Sequence, residues 1–244
     1  MTFKRAGFLY ALVGLLVLLA NLPAHWFVPD ATQGKGPGLR VLGSTGTVWA
    51  GQLQLGISDG ARVYAIPDPL RWDVKVANQG QWLGLEIQHS KLTQPVHLAW
   101  GSGGITLSAG RFAMPAAWLA AWGAPFNTIR PEGLVQINWE PWNKSVGAVN
   151  ASLTWLDAQS ALASIRPLGE YVITVTGNPD TTVNIALLTR KGPLMLEGTG
   201  QLAKGQRFVF NGYASAEPRS KDALTGLLSQ MGRLEGDRYR LGVF

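Results

Sequence analysis

With 244 residues, the chain is long enough for one large domain or two small ones, and apolar residues, 46% of the total, recur along its whole length, which excludes a disordered protein. Only 15% of the residues are charged, against about 25% in an ordinary soluble protein. The net charge of +6 includes Lys4 and Arg5, and the other basic residues are scattered rather than clustered, which argues against a nucleic-acid-binding protein.

The N-terminal segment is predicted to be a transmembrane anchor. A basic pair at residues 4–5 precedes an uncharged, mostly apolar run over residues 6–28, and about 20 residues are enough to cross ~30 Å of hydrocarbon. Trp26 falls where an interfacial aromatic residue is expected, and the basic pair should stay in the cytoplasm. A cleaved signal peptide is the alternative, although Leu22 occupies a position that needs a small residue before a cut at Ala24.

This pattern divides the chain into three segments. Residues 1–28 form the cytoplasmic end and the anchor. Residues 29–38 are rich in glycine and proline and form a linker that leaves the membrane. Residues 39–244 form a β-rich domain outside the cytoplasm.

The stretch GTVWAG at residues 46–51 places a tryptophan between two glycines at the start of an amphipathic strand. We predict that Trp49 buries against the sheet and that Gly51 provides a turn or bulge where no Cβ fits. A role for Trp49 in stacking on a ligand is the alternative.

The rest of the chain is dominated by apolar residues that alternate with polar ones, which indicates strands with one buried face. The 30 glycines and 14 prolines mark the turns between these strands, and the spacing suits antiparallel neighbours. The alternating apolar positions are Trp72, Val74 and Val76; Ile105 and Leu107; Val135, Ile137 and Trp139; Val149, Ala151, Leu153 and Trp155; Tyr171, Ile173 and Val175; Val183, Ile185 and Leu187; Leu194 and Leu196; Phe208 and Phe210.

Two helices are predicted, with a possible third. Residues 114–123 have Pro115 near the first turn and Gly123 at the end, with Trp118 and Trp122 on one face. Residues 217–232 run from Pro218 to Gly232 with an apolar stripe. The stripe consists of Leu224, Leu227, Leu228 and Met231. The possible third helix is Asp157–Ser164.

A short pattern, R-P-x-G followed by a strand, occurs at residues 130–133 and again at residues 166–169. This repeat could mark a duplicated β-unit, or two copies of so short a pattern could arise by chance.

The sequence contains no catalytic motif that we recognise, and it has no cysteine, so a metal site would depend on histidines and carboxylates. The histidines are His25, His89 and His97. His25 lies in or beside the membrane segment, whereas His89 and His97 could hold one metal ion with Glu86 as a third ligand if the strands brought them together. Exposed or half-buried strand histidines without a metal are the more common case.

Two acids and a tryptophan suggest a weak glycan-site hypothesis. Asp68 and Asp73 flank Trp72, an arrangement compatible with a sugar subsite, although acids at strand ends near an aromatic residue are commonplace. The ten tryptophans are either groove-lining or core residues. Trp72, Trp139 and Trp155 fall in the apolar register of their strands and are predicted to be buried, and the register does not decide for Trp82, Trp100, Trp118 and Trp122.

The order of several short motifs resembles one family over nearly the whole chain. The motifs are GTVWAG (residues 46–51), LRWDV (70–74), RPLGEY (166–171), LLTRKGPLMLEGTGQL (187–202), FNGYASA (210–216) and LLSQMG (227–232). They follow a short cytoplasmic end and one membrane helix. In the order of these motifs, the sequence resembles the type II secretion system protein N family of Gram-negative bacteria, also called general secretion pathway protein N.

The resemblance implies an accessory component of the type II secretion machinery in the inner membrane, with a single pass and the bulk of the chain in the periplasm. The implied partners are other type II secretion subunits and membrane lipid, with no nucleic acid, and the family supplies no cofactor, metal or catalytic residues to carry over. The family is also similar to AsmA-like proteins, whose β-rich parts form curved, groove-like sheets. We therefore expect a mainly β protein, with an N-terminal transmembrane helix, a curved, mostly antiparallel sheet and two or three short helices.

Three functions fit these expectations. The first is a non-enzymatic scaffold or assembly subunit that binds partners through sheet edges or apolar helix faces. The second is an AsmA-like groove that binds lipid, since a groove face and a core face have the same alternating pattern. The third, an anchored glycan binder or hydrolase, needs clustered carboxylates or rows of exposed tryptophans.

Overall fold

The computed structural model describes residues 12–27, 36–60, 62–76, 81–123 and 126–241. The basic pair at residues 4–5 and the predicted linker up to residue 35 lie outside these ranges. The first strand begins at Gly36, inside the range predicted as linker.

The described residues form mainly β-strands, as predicted. In chain order the strands are β1 (Gly36–Gly46), β2 (Ala50–Gly60), β3 (Val63–Ala65), β4 (Leu70–Lys75), β5 (Gln81–Gln88), β6 (Val96–Gly101), β7 (Gly104–Leu107), β8 (Gly110–Pro115), β9 (Pro131–Trp139), β10 (Trp142–Asn143), β11 (Val149–Ser160), β12 (Gly169–Asn178), β13 (Thr182–Lys191), β14 (Leu194–Ala203), β15 (Val209–Ala216), β16 (Gly232–Glu235) and β17 (Arg238–Leu241). The helices are α1 (residues 12–20), α2 (Phe126–Ile129), α3 (Lys221–Met231) and the 3-10 helices η1 (Ala24–Trp26), η2 (Ala116–Trp122) and η3 (Pro218–Ser220).

The strands form two antiparallel sheets. The first sheet has the order β1-β2-β4-β5-β6-β7-β10, with β3 paired to β2, and the second has the order β16-β17-β15-β14-β13-β12-β11-β9-β8. The chain passes from β9 in the second sheet to β10 in the first and back to β11. The loop after β5 also reaches the second sheet, because the N–H of Thr93 donates to the Arg111 carbonyl of β8 at 3.0 Å. These crossings tie the two sheets together.

The structure describes only part of the predicted anchor. Residues 12–20 are helical with exposed apolar side chains, and η1 follows them. In the described ranges, no helix is at once long enough and apolar enough to pass through a membrane. Residues 6–11 and 28 of the predicted span are not among those ranges.

The predicted helix at residues 114–123 is present as η2, with Pro115 before its first turn and Gly123 at its end. Gly123 has a φ of 82°, a conformation that favours glycine. The prediction that Trp118 and Trp122 share a face was wrong, because a 3-10 helix repeats every three residues rather than every four. Trp118 is half-buried, whereas Trp122 is exposed.

The possible third helix at Asp157–Ser164 was wrong. β11 continues to Ser160 and pairs with β9 on one side and β12 on the other. Asp157 has a φ of 46° and lies in a β-bulge, where the register shifts in both ladders. A bulge adds an unpaired residue to a strand and interrupts its alternation, so the sequence loses the strand pattern at that point.

The two R-P-x-G segments lie on either side of this bulge. Gly133 stands near the start of β9 with a φ of 104°, and a Cβ on it would meet the carbonyl oxygens of Leu156 and Asp157. Gly169 begins β12 on the opposite side of β11 and pairs with Ala158. The shared pattern therefore places a glycine next to the same distortion of β11 from both neighbouring strands.

The larger hydrophobic core lies under α3, at the position predicted for a helix over residues 217–232. η3 begins at Pro218 and Gly232 follows the last residue of α3. The apolar stripe of α3 packs on the second sheet, and the cluster comprises Leu224, Leu227 and Leu228 with Ala158, Ala163, Leu168, Tyr171, Leu194, Ala214 and Leu241. A smaller cluster joins η2 to Met114 and Val135.

Candidate functional site

The predicted metal ligands do not converge. His89 lies in the loop after β5, where its Nε2 is 3.2 Å from the Asp68 carbonyl oxygen and its Nδ1 accepts from the Lys91 N–H at 3.0 Å. His97 and Glu86 are cross-strand partners, with 4.0 Å between Nδ1 and Oε2. Among the described residues, no three His, Cys, Asp or Glu side chains are grouped so as to hold a metal ion. His25 is exposed in η1.

Glu86 belongs instead to a cross-strand row of polar side chains. Lys75 Nζ donates to Glu86 Oε2 at 2.8 Å, and Gln88 Nε2 donates to Oε1 at 2.5 Å. The hydrogen bond from Lys75, followed by that from Gln88, lowers the pKa of Glu86. The hydrogen bond to Glu86 and its charge raise the pKa of Lys75. Both groups therefore remain charged at neutral pH, which suits an ion pair and not proton transfer.

The predicted glycan-binding residues do not share a cleft. Asp68 lies in the turn before β4, and the cleft of about 390 Å³ that it lines includes neither Trp72 nor Asp73. Trp72 and Asp73 are adjacent on a strand, so their side chains point to opposite faces of the sheet.

The three tryptophans predicted to be buried are half-buried and share one arrangement. Each indole N–H donates to a main-chain carbonyl at 2.9–3.2 Å, and the three are Trp72, Trp139 and Trp155. Two of the rings cover a glycine of the adjacent strand, Gly51 and Gly110, where a Cβ would meet the ring. Of the four tryptophans that the register left undecided, Trp82, Trp100 and Trp122 are exposed and Trp118 is half-buried.

Trp49 does not bury against the sheet as predicted. Its side chain is 41% exposed, and its Nε1 donates to the Leu19 carbonyl oxygen at 2.7 Å. Leu19 lies in the last turn of α1, whose final carbonyls have no partner within the helix. The Val48 N–H also donates to the Leu22 carbonyl at 3.0 Å. The prediction for Gly51 was right that no Cβ fits, because a Cβ there would meet the Thr45 carbonyl oxygen and the Trp72 ring. It was wrong about a turn or bulge, because Gly51 lies in β2 and pairs in register with Gly46.

A groove of about 670 Å³ lies where the two sheets meet. Its walls are β2 and β3 of the first sheet on one side and η2 and α2 on the other. The lining is mostly apolar and includes Tyr64, Trp118 and the basic residue Arg130. Sequence reasoning missed this groove, because its walls come from segments that are far apart in the chain and carry no common motif.

Sheet edges are the other available surface. The first sheet ends at β1 and β10, and the second ends at β16 and β8. Residues 91–93 cover part of β8, whereas β16 is an outer strand with Leu234 exposed. An edge strand offers unpaired N–H and C=O groups that another chain can pair with.

The fold and these surfaces define a class of protein: two linked antiparallel sheets that offer an apolar groove and open strand edges. Comparison with protein families matches residues 37–242 to the type II secretion system (T2SS), protein N, so the chain belongs to this family. The resemblance predicted from the motif order is thereby confirmed. No curated protein and no solved structure matches the chain.

Proposed function

We propose that the protein is a non-enzymatic accessory subunit of the type II secretion system, held in the inner membrane by one N-terminal pass and acting in the periplasm through residues 39–244. The match to the secretion family over residues 37–242 carries this proposal. The matched region starts within β1, so it coincides with the β-rich part of the chain and excludes the proposed anchor.

The junction at Trp49 supports an anchor that stays on the protein. The hydrogen bond from Trp49 to Leu19 gives the segment before Ala24 a fixed partner in the β-rich part. Removal of a signal peptide after Ala24 would remove this contact. The exposed apolar side chains of residues 12–20 suit lipid as their surroundings.

Partner subunits are proposed to bind at the groove and at the β16 edge. The groove buries apolar side chains of a partner and offers Arg130 in its lining for a carboxylate. The β16 edge offers main-chain hydrogen bonds, and Leu234 adds an exposed apolar side chain beside them.

Photo-crosslinking in living cells tests this proposal. A photoreactive amino acid replaces Tyr64 in the groove or Leu234 at the edge, and Gln206 in the exposed turn before β15 serves as the control site. We expect secretion subunits to be captured from Tyr64 or Leu234 and not from Gln206. Capture of no secretion subunit from either site, with the chain present at its normal level, would contradict the proposal.

An AsmA-like lipid-binding groove is the second candidate, and one observation favours it. α3 packs against β15, β16 and β17, while apolar side chains farther along the second sheet remain only half-buried. Cross-strand pairs join these side chains into one surface, made of Ile173 with Leu187 and of Val175 with Ile185. A continuous apolar surface of this kind could bind acyl chains. Native mass spectrometry of the detergent-purified chain decides, since one phospholipid per chain supports the groove and lipid-free protein opposes it.

A further inference from the structure

Two turns of the first sheet and the ends of two further strands lie together at one end of the sheet. The register of the strands places the β1–β2 and β6–β7 turns, the last residues of β4 and the first residues of β5 at this end. The segment after β10 joins them, because the Ser145 hydroxyl donates to the Gly103 carbonyl at 2.7 Å. Neighbouring strands lie about 4.8 Å apart, so the five strands from β1 to β6 along the sheet make this end roughly 20 Å wide. We call it the turn end.

Large apolar side chains at the turn end are exposed. Val76 follows β4 and is 85% exposed. The prediction that it lies on the buried face of a strand was wrong, because the strand ends at Lys75. Trp82 and Trp100 are 60% and 57% exposed and lie with their ring centres 6.0 Å apart. Val146 is exposed in the turn after β10. Together with Trp49, these side chains form what we call the rim.

The apolar N-terminal segment joins the chain at the same end. Trp49 binds the last turn of α1 through the Leu19 carbonyl, and Pro23 bridges to Thr47 beside it. Trp26 and Phe27 follow and are both exposed. The rim is therefore continuous with the segment that the proposed anchor brings to the membrane surface.

The chemistry of the rim suits a lipid–water interface better than a protein partner. Tryptophan combines an apolar ring with an N–H donor, and it is enriched where a membrane meets water. Lys144 is exposed in this region, and its N–H bonds the Ile105 carbonyl. Lys75 is also exposed and pairs with Glu86. Exposed bases near tryptophans suit an anionic lipid headgroup.

We infer that the rim lies in the headgroup layer of the membrane from which α1 emerges. This inference rests on the membrane location in the proposed function and adds an orientation to it. Contact along the turn end holds the first sheet with its strands rising from the bilayer, so the opposite end of that sheet points away from the lipid.

Single-cysteine labelling tests the rim, since the native chain has no cysteine. The full-length chain is placed in nanodiscs of phosphatidylethanolamine and phosphatidylglycerol that contain a nitroxide-labelled lipid, and an environment-sensitive fluorophore is attached at Val76→Cys or Val146→Cys. Ser90→Cys, in the loop at the opposite end of the first sheet, is the matched control. Leu15→Cys in α1 reports on the anchor itself.

We expect blue-shifted emission and strong lipid quenching at positions 76 and 146, and neither at position 90. Trp82→Ser combined with Trp100→Ser should reduce quenching at position 76 without reducing it at position 15. Quenching at positions 76 and 146 no stronger than at position 90, with position 15 quenched, overturns the rim but leaves the anchor. Loss of quenching at position 15 as well overturns both the anchor and the rim.

Discussion

The ring of Trp139 occupies the space where its cross-strand partner Gly110 would carry a Cβ. The ring is also fixed by its N–H, which donates to the Ser108 carbonyl at 2.9 Å. A methyl group on Gly110 must displace this ring or distort the strand, and such overpacking costs about 1–3 kcal/mol. We expect Gly110→Ala to lower the free energy of unfolding by that amount, measured by guanidinium denaturation of the full chain in detergent with near-ultraviolet circular dichroism.

Gly103 provides the control for this experiment. A Cβ built on Gly103 meets nothing within 4 Å, so Gly103→Ala should change the free energy of unfolding by less than about 0.5 kcal/mol. If the two variants unfold at the same denaturant concentration, the packing of Trp139 on Gly110 does not stabilise the sheet.

Shortening a buried side chain of α3 should strongly destabilise the chain. Leu224 is fully buried in the cluster that joins α3 to the sheet. Replacing it with alanine removes apolar burial and leaves a cavity, at a cost of about 2–5 kcal/mol. Gln230→Ala, on the exposed face of the same helix, should change stability by less than about 0.5 kcal/mol. Equal losses of thermal stability in the two variants would show that α3 is not part of the cooperative core.

The sequence predicts α3 well because its signals are local. Pro218 stands before the helix, Gly232 ends it, and the leucines recur at helical spacing, so no knowledge of neighbours is needed. The alternating strands were predictable for the same reason. The bulge at Asp157 was not, because β9 and β12 hold that residue in the strand from both sides and override its local pattern.

The candidate surfaces depend on contacts between distant segments and were harder to predict. The place of Trp49 is set by Leu19 at the end of α1, and the groove is formed when Tyr64 comes to face Trp118. Neither pair has a spacing that a helix or a strand imposes. Similarly, Asp68 and Trp72 are close in the sequence, yet Asp68, in the turn before β4, lines a cleft that does not include Trp72.

Tyr171 should make stability fall at high pH. Its hydroxyl is buried within 3.1 Å of the carbonyl oxygens of Leu168 and Leu194, and burial raises the pKa of Tyr171 well above its ordinary value of about 10. Above about pH 10 the unfolded chain releases this proton while the folded chain retains it. Unfolding is then favoured by up to about 1.4 kcal/mol for each further pH unit.

Tyr171→Phe should remove this contribution. The variant is expected to lose about 1 kcal/mol at neutral pH, where a hydrogen bond is missing, and to show a shallower decline than the native chain above about pH 10. Urea denaturation across the alkaline range measures both effects. Tyr64→Phe, at an exposed position, should keep the native slope. Parallel curves for Tyr171→Phe and the native chain would contradict the assignment.

The conformation of Asp157 predicts opposite effects for two substitutions at one position. Its φ of 46° lies in the left-handed region, which glycine adopts freely and which costs a β-branched residue about 1–2 kcal/mol or more. The side chain is exposed, so its replacement removes little packing. We expect Asp157→Gly to be neutral or to stabilise by up to about 1 kcal/mol, and Asp157→Val to destabilise. Thr176→Val, at an exposed position in the regular part of β12, controls for the general effect of valine on the sheet. Equal melting temperatures for Asp157→Gly and Asp157→Val would mean that the chain does not hold this residue in the left-handed bulge.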